Sequence, residues 1–164
     1  LSHSSAASDV YKRQDEYILK KLKVPHKKSV IKPWVTFTNK LRKCNRKVKI
    51  GMIGKDVDLA DSYKSLNESL LHASVHNNNS LEIDFIDSED ITKKNIKRLK
   101  NLQGIVVPGG FGNRGVEGKI LAANFARIND IPYFGICLGM QISVIEFARN
   151  ILGLKDANLS LIHI

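Results

Sequence analysis

Between residues 48 and 150 a short apolar run is followed four times by a stretch with helical spacing, and this alternation constrains the fold more than any other feature of the chain. VKIGMIG, LEIDFID, GIVVP and PYFGI read as buried strands, since each is brief, apolar and bounded by turn residues. The first is followed by a helix expected over Leu59 to Val75, with Leu66, Leu70 and Leu71 on one face. Ser88 is expected to N-cap a second helix running to Lys100, after Asp87 ends its strand. Third and fourth helices are expected from about Val116 to Ile128 and from about Leu138 to Asn150. Strands alternating with helices imply an open, mostly parallel sheet with helices on both faces, an α/β fold of the flavodoxin-like kind.

A net charge of +10 invites a nucleic-acid reading, so its distribution matters. Lys12 to Lys49 carries fourteen Lys/Arg against Asp15 and Glu16, a local charge of +12, while Ile50 to Ile164 sums to −1. The folded part is therefore close to neutral, and only Trp34 and Phe37 in the basic stretch could stack on bases. A solvated connector between domains accounts for that stretch better than a nucleic-acid surface. No run of eighteen apolar residues occurs and the first thirty lack the apolar block of a secretory signal, so neither a membrane span nor export is expected and the location is read as cytoplasmic. Cys44 and Cys137 do not make a disulfide framework and are read as free thiols. No metal site is expected.

In an open α/β sheet ligands sit beyond the carboxyl ends of the strands, and both of the last two strands end in unusual sequences. After the fourth comes Gly135-Ile136-Cys137-Leu138-Gly139, a G-x-C-x-G arrangement between strand and helix, the cysteine form of a nucleophile elbow. A side chain on that bend is thrust out of the sheet top, at the cost of strained backbone, and the two glycines leave room where strand and helix cross. The helix N-terminus there favours a thiolate nucleophile. A buried structural cysteine, the commoner fate of a lone thiol, needs neither the glycine pair nor the junction.

After the third strand comes Pro108-Gly109-Gly110-Phe111-Gly112-Asn113-Arg114-Gly115, which contains G-x-G-x-x-G over residues 110–115. A nucleotide-binding module built on that glycine loop is the alternative reading of the chain. Pro108 intrudes before the glycines, however, and no acidic residue ends the next strand to hold a ribose. A Walker loop fails too, because Lys119 is followed by Ile120. The better account is an oxyanion hole, with the main-chain N–H of Gly110 as one donor and that of Leu138, beside the nucleophile, as the other.

With VPGGFGNRGVEGKI and IPYFGICLGMQISVIEFARN in view, the chain resembles the glutaminase domain of the CTP synthase family, more weakly also through DSYKSLNESLLHA, GMIGK and DEYILKKLKVPHK. PGG and G-x-C-x-G are shared by glutamine amidotransferases at large, whereas RGVEGK and VIEFARN point to the CTP synthase branch. The resemblance implies the amidotransferase version of the fold, incomplete at its C-terminus. It divides the chain into a leader without family likeness (1–13), a basic interdomain linker (14–47), the N-terminal part of the glutaminase domain (48–158) and a tail without family likeness (159–164). It implies that Cys137 hydrolyses glutamine through a thioester, and that the ammonia goes to a synthetase domain of the same enzyme, where UTP becomes CTP. ATP and Mg2+ serve that domain, with GTP as activator; this part of the chain is expected to hold no cofactor, and a homo-oligomer is expected through the missing domain. Gly110, Leu138, Gly139, Met140 and Gln141 would contact glutamine, largely through main-chain groups, and Phe111 would line the pocket or pack down as an ordinary core aromatic.

One departure bears on activity. The family activates its cysteine with a histidine in a later H-x-E pair, and none of His3, His26, His72, His76 or His163 is followed two residues on by a carboxylate. The sequence is therefore expected to be a truncated piece lacking the triad His and Glu, and inactive on its own. At Asp56, after the Gly-Lys pair, an aromatic residue is usual in the family.

Overall fold

The central strands owe their place to residues apolar on both faces. In the computed structural model, which describes residues 14–25, 32–55 and 62–159, β1 (Arg46–Gly54) runs from an exposed basic start to a fully buried end, and β3 (Gly104–Val107) is buried throughout. With β2 (Asn79–Asp87) and β4 (Tyr133–Gly135) they form one four-stranded sheet in the order β2-β1-β3-β4. All pairings are parallel: Arg46 to Gly54 lie opposite Asn79 to Asp87, Ile50 to Met52 opposite Gly104 to Val106, and Ile105 to Val107 opposite Tyr133 to Gly135. Parallel neighbours need crossovers, and the helices supply them.

Two compact units divide the chain, Leu1–Thr36 and Phe37–Ile164. In the first, α1 (Gln14–Lys21) carries Lys20 and Lys21 in its last turn, and the Lys21 ammonium lies 5.7 Å from the Tyr17 ring centre. α2 (Lys32–Lys43) crosses the boundary; from Phe37 onward it belongs with the sheet, and the Phe37 ring meets His72 edge-on at 4.8 Å. α3 (Lys64–His76) covers one sheet face, where Leu70 and Ala73 border the same cleft as Val48, Ile50 and Leu81. Side chains alternate along a strand, so Ile53 of β1 points the other way, into a core with Ile86, Leu99, Ile105, Val107 and the α4 residues Ala122 and Ala126. α4 (Val116–Ile128) then packs against α5 (Leu138–Asn150) through Val116, Ile120, Ala123, Leu138, Ile142 and Ile145.

Two expectations need correction or restriction. No α-helix runs from Ser88 to Lys100; the segment makes two 3-10 turns, Ser88–Asp90 and Ile96–Asn101. Asp87, not Ser88, caps the first, its carboxylate accepting from Glu89 N at 2.8 Å. The Asn95 side chain accepts from Thr92 N and donates to the Asp90 carbonyl, holding the chain in a turn between the two pieces. Side chains of this kind offer the backbone local partners that compete with a helical ladder. The helix expected from Leu59 begins at Lys64; residues 59–61 lie outside the described residues, as do the leader, Asp56 and residues 160–164. No described helix is long and apolar enough to cross a membrane.

Candidate active site

Cys137 stands between β4 and α5, with φ 52° and ψ −105°. An L-residue held there stores strain of roughly 1–3 kcal/mol, which persists only where the surroundings over-determine it. Here they do. A Cβ on Gly135 would lie 2.4 Å from the Gly139 carbonyl group, and one on Gly139 would lie 2.0 Å from the Val107 carbonyl oxygen. Both obstacles are backbone, so the two glycines let the first turn of α5 sit directly on the sheet.

Hydrogen bonds pin the same bend. Ile136 N donates to Val107 O at 3.0 Å, Gly139 N to Ile136 O at 2.9 Å, and Met140 N and Gln141 N both to Cys137 O. The Tyr133 hydroxyl donates to Gly139 O at 2.8 Å. Burial, helped by the negative Glu146, holds the Tyr133 pKa well above the ordinary tyrosine value, so this hydroxyl remains a proton donor at neutral pH.

Cys137 is exposed, and it opens onto a cavity of about 460 Å³. Gly110, Phe111, Leu138, Met140 and Gln141 line that cavity with it, bringing six of the seven site residues expected from the sequence into one place. The seventh, Gly139, is buried against Val107 and does not line the cavity. Leu138 opens α5, so its N–H has no intrahelical acceptor. Phe111 does not pack down as a core aromatic; it is 76% exposed at the cavity wall. Gly112, Val144, Ile145, Asn158 and Leu159 complete the lining, and the apolar spacing of α5 was the one signal that could have pointed to Val144 and Ile145. His72 and His76 lie on α3 and do not line it.

The glycine loop at 110–115 leads into α4, but that helix start is already covered. A Cβ on Gly115 would lie 2.0 Å from Ser88 Oγ, and one on Gly118 would lie 1.7 Å from the Ser88 carbonyl oxygen. Glu89 sits beside them, its carboxylate 3.6 Å from Arg114 Nε. A pyrophosphate needs open N–H groups and no neighbouring carboxylate at such a terminus, so this helix start does not suit one.

Away from the cavity, α4 and α5 are clamped. Glu146 is 2% exposed and accepts from Arg127 Nη2 at 2.7 Å, from Arg127 Nε at 3.0 and 3.2 Å, and from Asn124 at 2.8 Å. Burial alone would raise the Glu146 pKa, but the hydrogen bonds from Arg127 and Asn124 outweigh it and hold the carboxylate below its ordinary range. Arg149 pairs with Glu117 at 3.0 Å and donates to Ala157 O at 2.6 Å, steadying the segment whose next two residues border the cavity.

The family description "Glutamine amidotransferase class-I" matches residues 58–161, which include every one of these cavity residues. The chain belongs to the class-I glutamine amidotransferase family. Among amidotransferases it is similar to the CTP synthase of Nitratidesulfovibrio vulgaris, 50% identical over 145 residues that make up 88% of this chain and 26% of that protein. The CTP synthase of Listeria innocua is 45% identical over 147 residues, 89% of this chain and 28% of that one. The chain thus spans about a quarter of the length of these relatives. A solved structure of the Trypanosoma brucei CTPS glutaminase domain with bound acivicin matches at 45% identity with a TM-score of 0.63, over 66% of this chain and 43% of that one. The open, all-parallel sheet with helices around it is the flavodoxin-like fold of this amidotransferase class.

Proposed function

We propose that this chain is the opening part of the glutaminase domain of a CTP synthase, with residues 14–47 as the connector from its synthetase domain. The observation that carries the reading is an exposed thiol, Cys137, held at positive φ on a strand-to-helix bend whose flanking glycines cannot accept a Cβ. The Cys137 thiolate attacks the side-chain amide carbon of glutamine, forming an S–C bond while the carbonyl electron pair moves to oxygen. The N–H groups of Gly110 and Leu138 stabilise that oxyanion. Its collapse breaks the C–N bond and releases ammonia once the nitrogen takes up a proton, and water then cleaves the thioester to glutamate and free thiol. Phe111, Met140 and Gln141 border the space where glutamine sits.

The sequence has no H-x-E pair to take the family's base role, and on that ground the 164 residues are proposed to acylate without turning over. The ammonia would serve amination of UTP to CTP in the synthetase domain. ATP and Mg2+ belong to that domain in this proposal, with GTP as activator. Among the described residues no group of three or more His, Cys, Asp or Glu is arranged to hold a metal.

Exposure to acivicin followed by peptide mass spectrometry tests the assignment. The adduct is expected on Cys137 and not on Cys44, with Cys137→Ala abolishing it and ammonia release staying near background. Equal labelling of both thiols would sink the site, and sustained ammonia release from these 164 residues would sink the claim of inactivity.

A further inference from the structure

The loop from Pro108 to Gly115 is irregular, and three of its first five residues are glycine. Glycine has almost no backbone preference, so such a segment does not specify its own peptide orientations. Gly112 sits at φ 80°, and a Cβ on Gly109 or Gly110 would meet nothing closer than 3.5 Å, so packing does not fix the loop either. Something outside it must.

Lys55 is the residue in position to do so. It follows the last residue of β1, is half-buried, and its Nζ donates to the Phe111 carbonyl oxygen at 2.7 Å. Its own carbonyl oxygen accepts from Arg114 Nη2 at 3.0 Å, so one residue ties the loop at two points. Its stem passes beside Gly110, where a Cβ would lie 4.0 Å from Lys55 Cε. A charge-assisted bond to a carbonyl is about twice as strong as a neutral one, enough to choose among peptide orientations that glycine leaves nearly equal.

We infer that Lys55 is a positioning residue that orients the Gly110–Gly112 peptides so that the Gly110 N–H faces the carbonyl attacked by Cys137. It touches no reacting atom and acts through the loop. The inference rests on the glutaminase reading, and its test separates the two.

In the full-length protein, Cys137 is labelled with a glutamine-shaped diazoketone, whose carbonyl needs the oxyanion donors, and separately with iodoacetamide, whose displacement at saturated carbon does not. Lys55→Met keeps the stem and removes the donor; it is expected to slow diazoketone labelling about tenfold or more, given that losing a whole donor costs roughly 100-fold. Iodoacetamide labelling is expected to stay within about twofold, and Lys55→Arg to recover most of the diazoketone rate. Equal slowing with both reagents, or a lowered melting temperature accompanied by loss of both, would reduce Lys55 to a structural residue and overturn the inference. If the unaltered protein shows no preference for the glutamine-shaped reagent, the glutaminase reading itself has failed, and the inference with it.

Discussion

The two loops that meet at the cavity are built in opposite ways. At the nucleophile bend, backbone rests on backbone: Gly135 touches the first turn of α5, Gly139 touches the carbonyl of Val107, and neither has space for one more carbon. At the donor loop, Gly109 and Gly110 have ordinary room around them, and the restraint comes from the long side chains of Lys55 and Arg114. Glycine thus serves two purposes a few ångströms apart. At the bend it permits close approach, whereas at the second loop it leaves space beside the Gly110 N–H, the proposed oxyanion donor.

Gly139→Ala attacks the bend and carries the largest expected effect on stability. Its methyl would have to displace β3, a clash set at about 3 kcal/mol or more, and chemical denaturation should register that loss together with loss of acivicin labelling. A fully stable Gly139→Ala protein would mean the two loops do not differ as described.

Arg127→Ala comes next, since it strands the buried Glu146 carboxylate between the helices that follow the two loops. The Arg127 side chain is 35% exposed, so the expected cost is about 2 kcal/mol, below that of a fully buried pair. The sign of the pH effect follows from the lowered Glu146 pKa. Its contribution is present above the ordinary carboxylate value of 4.5 and is lost as the pH falls through the depressed folded value. Denaturation curves should therefore show a steep acid limb below pH 4.5 that Glu146→Gln flattens.

Gly110→Ala sharpens the contrast from the other side. With 3.6 Å to Leu138 Cδ2 available, stability is expected to change by less than about 1 kcal/mol, yet the methyl would crowd the donor and slow acivicin labelling. A large drop in stability with unchanged labelling would reverse the roles assigned to the two sets of glycines.

How much of this could be read in advance follows from the range of the interactions. The approximate bounds expected for α4 and α5 agree with the structure because their helical pattern is local, and the G-x-C-x-G bend is legible because it needs two glycines at fixed spacing. The segment after β2 departs from expectation because Ser88 and the strand–helix alternation suggest a helix, while Asp87 and Asn95 draw the backbone into turns. Lys55 stands out in the sequence only as the end of the family-like string GMIGK, and its contact is not legible there because its partner stands 56 residues away. Glu146, Arg149 and Asn150 were noticed only as marks of family likeness. The first two prove to tie α5 to α4, and Asn150 to support the Glu146 carboxylate from one turn along α5.

The backbone angles of Cys137 carry one more implication. At φ 52° and ψ −105° only glycine is at ease, so a glycine in its place is expected to relax the turn and yield a more heat-resistant molecule that lacks the proposed nucleophile. Selection by melting temperature alone would discard the proposed nucleophile first, because at this single position endurance and the proposed reactivity make opposite demands on one Cβ.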